Sequence, residues 1–173
     1  MPVSATNSKV VYDAIKAAGV RLVSALPETW LVHLVRLADE DPDMILVRLA
    51  KEEEGVGIST GAHFAGLRTA LLMQNHGFLQ SINGIASLAL LYKIPLLLLI
   101  TDRGTIGERD PWQTEGGKYT RKVLDALNLV RDELNRPDEV RGKVAKAMTL
   151  AQSSLSPVAL LLGRDLMWEE PTA

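Results

Sequence analysis

The sequence predicts an α/β fold: an open, mostly parallel sheet with helices on both faces. Two patterns carry the prediction. Segments with helical apolar spacing alternate along the chain with short apolar segments of strand length. One strand segment, Leu96 to Ile100, is apolar without alternation, as a strand covered on both faces requires.

The elements follow in order. Val10, Val11, Ala14, Ile15 and Ala18 repeat at helical spacing, and Gly19 suits a C-cap. Arg21 to Leu26 reads as a buried strand stopped by Pro27. Thr29 can N-cap a helix through about Ala38. Met44 to Leu49 is a second strand, and Glu52 to Ala65 a helix with acids in its first turn. Its Gly55, Gly57 and Gly61 are poor helix formers, so they point to close approach by another backbone or a ligand. Thr69 to Gln74 is a third strand, Asn75-His76-Gly77 a turn, and Leu79 to Leu91 an apolar helix. After the fourth strand, Leu96 to Ile100, Thr101 to Gly117 reads as a long polar loop. Tyr119 to Leu127 and Asp138 to Gln152 are helices, and Pro157 to Leu162 is a last strand. The expected division is one domain over 1–163 and a tail over 164–173.

Composition narrows the function. The chain has 173 residues, a hydrophobic fraction of 47% and a net charge of −2, which suits a single globular domain with no pull toward nucleic acid or acidic lipid. It has no cysteine, which removes disulfides, thiol nucleophiles and Cys-ligated metals. Three histidines, scattered along the chain, do not suggest a zinc site. Met1 to Val10 is polar, unlike a signal peptide. The run Ile94 to Ile100 falls far short of the roughly 20 residues of a membrane helix. The expected compartment is the cytoplasm. Trp30, Trp112 and Trp168 read as packing or interface residues.

In open α/β sheets, ligands bind beyond the carboxyl ends of the strands. Those ends carry Leu26-Pro27-Glu28-Thr29, Lys51-Glu52-Glu53-Glu54, Gln74-Asn75-His76-Gly77 and Thr101-Asp102-Arg103-Gly104. No P-loop and no G-x-G-x-x-G after the first strand is present. The distinctive feature is the acidic triplet at a strand-to-helix junction. Such a triplet is often a solvated helix start. Successive helix residues are turned about 100° apart, however, so the three cannot all face one way. One can point inward, where apolar walls would raise its pKa and let it share a proton with a ring nitrogen.

The stretch Arg48 to Gly66 (RLAKEEEGVGISTGAHFAG) resembles the pyrimidine-binding domain of thiamine-diphosphate enzymes. In that superfamily a glutamate stands nine residues before a glycine on this helix, and counting back from Gly61 selects Glu52. Met73-Gln74-Asn75, Ser81-Ile82-Asn83 and Ile94 to Ile100 extend the resemblance toward sulfopyruvate decarboxylase alpha subunits, with phosphonopyruvate decarboxylases as sisters. The resemblance implies that Glu52 hydrogen-bonds N1′ of the aminopyrimidine and so activates thiamine diphosphate for attack on a 2-oxo acid, from which carbon dioxide leaves. It also places Gln74, Asn75 and Gly77 beside the cofactor.

Candidate substrate contacts are Pro27, Thr29, His76 and Arg103. Pro27-Glu28-Thr29 matches the family's Pro-x-Ser/Thr turn, and Thr29 could serve as cap, as substrate contact, or as both. His76 stands where relatives carry serine; it could donate a proton, contact an anion, or be polar surface. Leu79 and Gln80 also depart from the Gly-Asn of relatives, so the shape of that loop, and substrate choice with it, stays open. Arg103 could fork onto a sulfonate or phosphonate, or form an ordinary ion pair.

Members of the family grip the diphosphate through Mg²⁺ with a Gly-Asp-Gly motif, which is absent here. The resemblance therefore implies a separate beta subunit carrying the diphosphate and Mg²⁺ site, no metal ligands on this chain, and self-pairing to at least α₂β₂. The helices Glu52 to Ala65 and Leu79 to Leu91 are the candidate contact surfaces. The substrate remains open between 3-sulfopyruvate and phosphonopyruvate or another anionic 2-oxo acid, and the pathway between coenzyme M synthesis and sulfonate metabolism. A noncatalytic α/β ligand-binding module is the alternative of a different class.

Overall fold

A computed structural model describes residues 2–169. Helix α1 (Ala5–Ala17) leads into β1 (Val20–Ala25), a 3₁₀ turn (Thr29–Leu31) and α2 (Val32–Glu40). Strand β2 (Ile45–Arg48), α3 (Glu52–Phe64) and β3 (Arg68–Gln74) follow. The next helical region is broken into α4 (Asn75–Gln80), α5 (Ile82–Gly84) and a π-helical segment (Ile85–Leu90). Then come β4 (Leu97–Thr101), α6 (Pro111–Ala126), β5 (Val130–Leu134), α7 (Pro137–Ser154), β6 (Val158–Leu162) and α8 (Arg164–Met167).

The six strands form one parallel sheet in the order β2-β1-β3-β4-β6-β5. Side chains alternate across the sheet, and each face feeds its own core. Leu97 and Leu99 join Ile15, Trp30, Leu34 and Val144 on the side of α1, α2 and α7. Leu98 and Ile100 join Val56, Phe78, Ile85 and Leu124 on the side of α3, α4 and α6. Both faces of β4 are thus covered, which explains its unbroken apolar run. Each fully buried leucine contributes about 1.5–3 kcal/mol relative to exposure.

From β1 the chain passes outward to β2, then returns across β1 to β3. The strand order reverses between β1 and β3, and such a switch point opens a crevice at the carboxyl ends of the strands. No helix among the described residues is long and apolar enough to cross a membrane.

The structure departs from the sequence reading at several places, among them the apolar helix expected over Leu79 to Leu91, which is broken into α4, α5 and the π-helical segment. Strand β5 was not anticipated: Val-Arg-Asp-Glu-Leu is polar because it lies at the sheet edge, where charge is tolerated. The loop expected over Thr101 to Gly117 ends early, since α6 begins at Pro111, where proline suits a first helical turn. Gly116 and Gly117 lie inside α6 because other atoms occupy the space a Cβ would need: the His76 ring, 2.7 Å away, for Gly116, and the Arg103 carbonyl and Gly104 for Gly117. The segment expected as a tail packs as far as it is described. Leu166 and Met167 are fully buried, and the Trp168 ring packs tilted against Trp30 with centroids 6.0 Å apart. Residues 170–173 of that segment lie outside the described residues. Finally, Asn75-His76-Gly77 opens α4 rather than forming a free turn.

Candidate active site

The acidic triplet opens α3, and its members diverge as the helical step requires. Glu52 turns inward and is 4% exposed. Glu53 is half-buried and pairs with Lys51 at 3.2 Å, which holds its carboxyl below the usual range. Glu54 turns back, and its Oε2 accepts from the backbone N–H groups of Ala50 at 3.0 Å and Lys51 at 3.4 Å. The expectation of one inward glutamate is met by Glu52.

Gly77, in the first turn of α4, faces Glu52. A Cβ there would fall inside the van der Waals envelope of Glu52 Oε1, Cδ and Cγ. The glycine allows the carboxylate and the α4 backbone to approach closely. Gly55 acts in the same way a turn further along α3, where a Cβ would strike Leu71 on β3. The glycines that weaken α3 as a helix let its first turn lie flat on the sheet.

Gln74 ends β3 and accepts at Oε1 from Gln113 Nε2 of α6, 3.2 Å away. Asn75 is buried, and its Nδ2 donates to the Arg103 carbonyl at 2.6 Å. Asn75 Oδ1 and Gln113 Oε1 are buried with no hydrogen-bond partner. His76 is exposed, with its ring against Gly116.

The first strand end differs from expectation. Thr29 does not cap the helical turn. Glu28 does, its Oε2 accepting from the Trp30 N–H at 2.9 Å. The extended backbone at position 28, with φ −143° and ψ 164°, brings the longer carboxylate within reach. Pro27 and Thr29 are exposed. Burial pushes the Glu28 carboxyl up, against the Trp30 N–H, the Thr101 hydroxyl and the Arg103 charge, and the neighbouring Glu52 adds to the rise.

Of the two readings of Arg103, the ion pair is what the geometry shows. Its Nε and Nη2 donate to Glu108 at 2.7 and 2.9 Å, and Nη2 also donates to Asp110 at 2.7 Å. The guanidinium lies 4.9 Å from the Trp30 ring centroid. Arg103 holds the Glu108 carboxyl down to about 2. The adjacent Asp102 receives both terminal nitrogens of Arg121, at 3.0 and 2.8 Å.

The structure therefore gathers Glu52, Gln74, Asn75 and Gly77 at the β1–β3 switch point, with His76 at its rim. It leaves Pro27 and Thr29 on the surface and engages Arg103 within the chain. Gln113 escaped the sequence reading, and Glu28 was named there only as part of a strand end, with no role of its own. Gln113 was hidden in a segment read as loop. The signal for Glu28 was a carboxyl at a strand end inside a turn already singled out. Among the described residues no cluster of three or more His, Cys, Asp or Glu side chains could hold a metal ion.

The chain matches the family model for the thiamine pyrophosphate enzyme N-terminal TPP binding domain over residues 5–128. It is 38% identical over 162 residues to sulfopyruvate decarboxylase subunit alpha of Methanococcus maripaludis, covering 94% of this chain and 96% of that protein. The subunit of the same name from Methanocaldococcus jannaschii is 36% identical over 163 residues, 94% of this chain and 96% of that protein. Phosphonopyruvate decarboxylase of Streptomyces viridochromogenes is a more distant relative, 26% identical over 158 residues that span 88% of this chain and 39% of that protein. Matched along nearly its whole length to these proteins, the chain belongs to the thiamine pyrophosphate enzymes, as an N-terminal TPP-binding domain in the group of the sulfopyruvate decarboxylase alpha subunits.

Proposed function

We propose that this chain is the alpha subunit of a two-component decarboxylase that converts 3-sulfopyruvate to sulfoacetaldehyde and carbon dioxide. The observation that carries the proposal is Glu52, a carboxylate 4% exposed at the switch point of the sheet, with a glycine backbone pressed against it.

The residues fit thiamine diphosphate. Buried, unpartnered Asn75 Oδ1 and Gln113 Oε1 offer acceptor capacity around the end of β3. Glu52, Gln74, Asn75 and Gly77 would hold the aminopyrimidine. When bound, the cofactor supplies the electron sink for loss of carbon dioxide from a 2-oxo acid. Glu52 would hold and return the proton at a pyrimidine ring nitrogen. The Gln74–Gln113 pair orients the end of β3 beneath it. Gly77, lacking a Cβ, leaves the space against the α4 backbone that the Glu52 carboxylate occupies. His76, exposed at the rim, is positioned to meet the anionic substrate, and the exposed Pro27 and Thr29 line its approach.

The diphosphate and Mg²⁺ belong to a separate beta subunit in this reading, because the chain has no Gly-Asp-Gly. The relatives' name, subunit alpha, supports such a partner. Phe64 on α3 is 71% exposed, and Leu91 and Tyr92 after the π-helical segment are 66% and 56% exposed. These apolar side chains suit burial against the partner and a second alpha chain in an assembly of at least α₂β₂. The cytoplasm is the proposed compartment.

The test is carbon dioxide release by the reconstituted pair with thiamine diphosphate and Mg²⁺, with 3-sulfopyruvate and phosphonopyruvate compared. Sulfopyruvate should be the better substrate, and Glu52→Gln should lower turnover by about 10²–10⁴-fold with folding intact. Turnover by the alpha chain alone, or undiminished turnover in Glu52→Gln, would overturn the proposal.

A further inference from the structure

The turn after β1 contains a carboxyl group that the proposed reaction has not used. Glu28 commits one oxygen to the fold: Oε2 accepts from the Trp30 N–H. Its other oxygen, Oε1, is buried without a partner. Thr101, at the carboxyl end of β4, is fully buried, and its Oγ1 also lacks a partner. Strands β1 and β4 flank β3, so both residues lie at the carboxyl edge of the sheet, near the strand end that carries Gln74 and Asn75. The Thr101 hydroxyl lies close enough to Glu28 to favour its charged form, although the two fall outside strict hydrogen-bond geometry. A buried polar atom left unpaired costs about 1–3 kcal/mol, so a pair of them at one strand edge points to a ligand.

The surrounding charges decide the form in which Glu28 works. Glu52 approaches it from α3, and Arg103 from the segment after β4. Arg103 is already matched by Glu108 and Asp110. Together these groups carry four carboxyls against one guanidinium. His76, the other titratable group at the rim, is exposed. An anionic substrate cannot approach an ionised Glu28 in such surroundings at low cost. Burial raises the Glu28 carboxyl, with Glu52 adding to the effect, and this favours the neutral acid.

We propose that Glu28 is a substrate-binding residue, and that its Oε1–H and the Thr101 hydroxyl form a pair of neutral donors for an anionic oxygen of the 2-oxo acid. This rests on the decarboxylase reading and adds to it a recognition device that needs no free arginine. Protonated Glu28 gives one hydrogen bond to the substrate, while Oε2 keeps the turn in place. Ionised Glu28 loses the donor and repels the ligand.

The test uses the reconstituted complex loaded with thiamine diphosphate and Mg²⁺. Kinetics with 3-sulfopyruvate are measured across pH, and binding of 3-sulfolactate, which has no keto group and is not decarboxylated, is measured by calorimetry. Wild-type KM and the sulfolactate Kd should rise together as pH climbs above the ordinary carboxylate range. Glu28→Ala should raise both about tenfold or more at low pH, with the loss carried by KM. Glu28→Gln keeps a carbonyl for the Trp30 N–H and a permanent donor. It should retain low-pH affinity and abolish the rise. Thr101→Val should weaken both constants in the same direction. Unchanged KM and Kd in Glu28→Ala would overturn the proposal, as would a wild-type pH dependence in Glu28→Gln. If Glu28→Ala fails to fold, the Glu28→Gln profile carries the test. Hydrogen–deuterium exchange at C2 of the cofactor separates the two readings. Exchange that is unaffected by Glu52→Gln sinks the decarboxylase reading, whereas the sulfolactate Kd reports on Glu28.

Discussion

At the carboxyl edge of the sheet, two sets of charged side chains lie close together and are treated in opposite ways. After β1 and at the start of α3, Glu28 and Glu52 have no ion-pair partner among the described residues, and Glu28 Oε1 and the nearby Thr101 hydroxyl are unpaired. After β4, Arg103 is matched twice over by Glu108 and Asp110, and Asp102 is matched by Arg121. The second set binds the 102–110 segment to the domain and has little capacity left for a ligand. The first set is incompletely hydrogen-bonded, and that is what a site needs. Buried charge by itself does not mark function; unpaired buried capacity does.

The comparison can be broken most directly at Gly77. A methyl group there must displace the Glu52 carboxylate or push α4 away. Misplacement of a reacting group by about 1 Å can cost about 10²-fold, so Gly77→Ala should lower turnover by that order in the reconstituted pair. Its melting temperature should change far less than its rate. A fully active Gly77→Ala would show that the close approach is not functional.

The matched set makes the opposite prediction, a loss of stability rather than of chemistry. Arg103→Met leaves Glu108 buried without its cation, and breaking a buried pair costs about 3–5 kcal/mol. The denaturant midpoint should fall accordingly, and Arg103→Met/Glu108→Gln should recover most of the loss. If Arg103→Met instead raised KM with stability intact, Arg103 would belong to the site. The pH dependence has a definite sign. Arg103 depresses the Glu108 carboxyl, so the pair's contribution is fully present above the ordinary carboxylate range. It is lost as pH falls toward about 2. Arg103→Met should flatten that acid limb of the stability curve.

The fold was legible where burial wrote it into the sequence. Leu96 to Ile100 reads as a strand because both of its faces are covered, and the strands ending at Ala25 and Gln74 read for the same reason. Val130–Leu134 did not, because an edge strand is held by backbone pairing on one side and can be polar. The start of α6 was obscured by Gly116 and Gly117, which are inside a helix only because His76 and Arg103 occupy the space of their side chains. In the site, Glu52 was legible from the helical step together with the family pattern. The Glu28 and Gln113 oxygens were not, because a missing hydrogen bond is a property of three-dimensional packing and leaves no periodicity in the chain.

The smallest expected effect separates the three glutamates from one another. Glu54 Oε2 ties the backbone N–H groups of Ala50 and Lys51 to the first turn of α3. Glu54→Ala removes that tie and should cost about 1 kcal/mol, as loss of a helix cap does. The same turn carries Glu52, so some slackening of the site follows, and turnover should fall by less than about tenfold. Thermal melting and turnover of the reconstituted pair measure both quantities on one preparation. If Glu54→Ala matched the rate loss of Glu52→Gln at an unchanged melting temperature, the proton-handling role would pass from the buried glutamate to the exposed one. The distinction between matched and unmatched carboxylates would then fail at its centre.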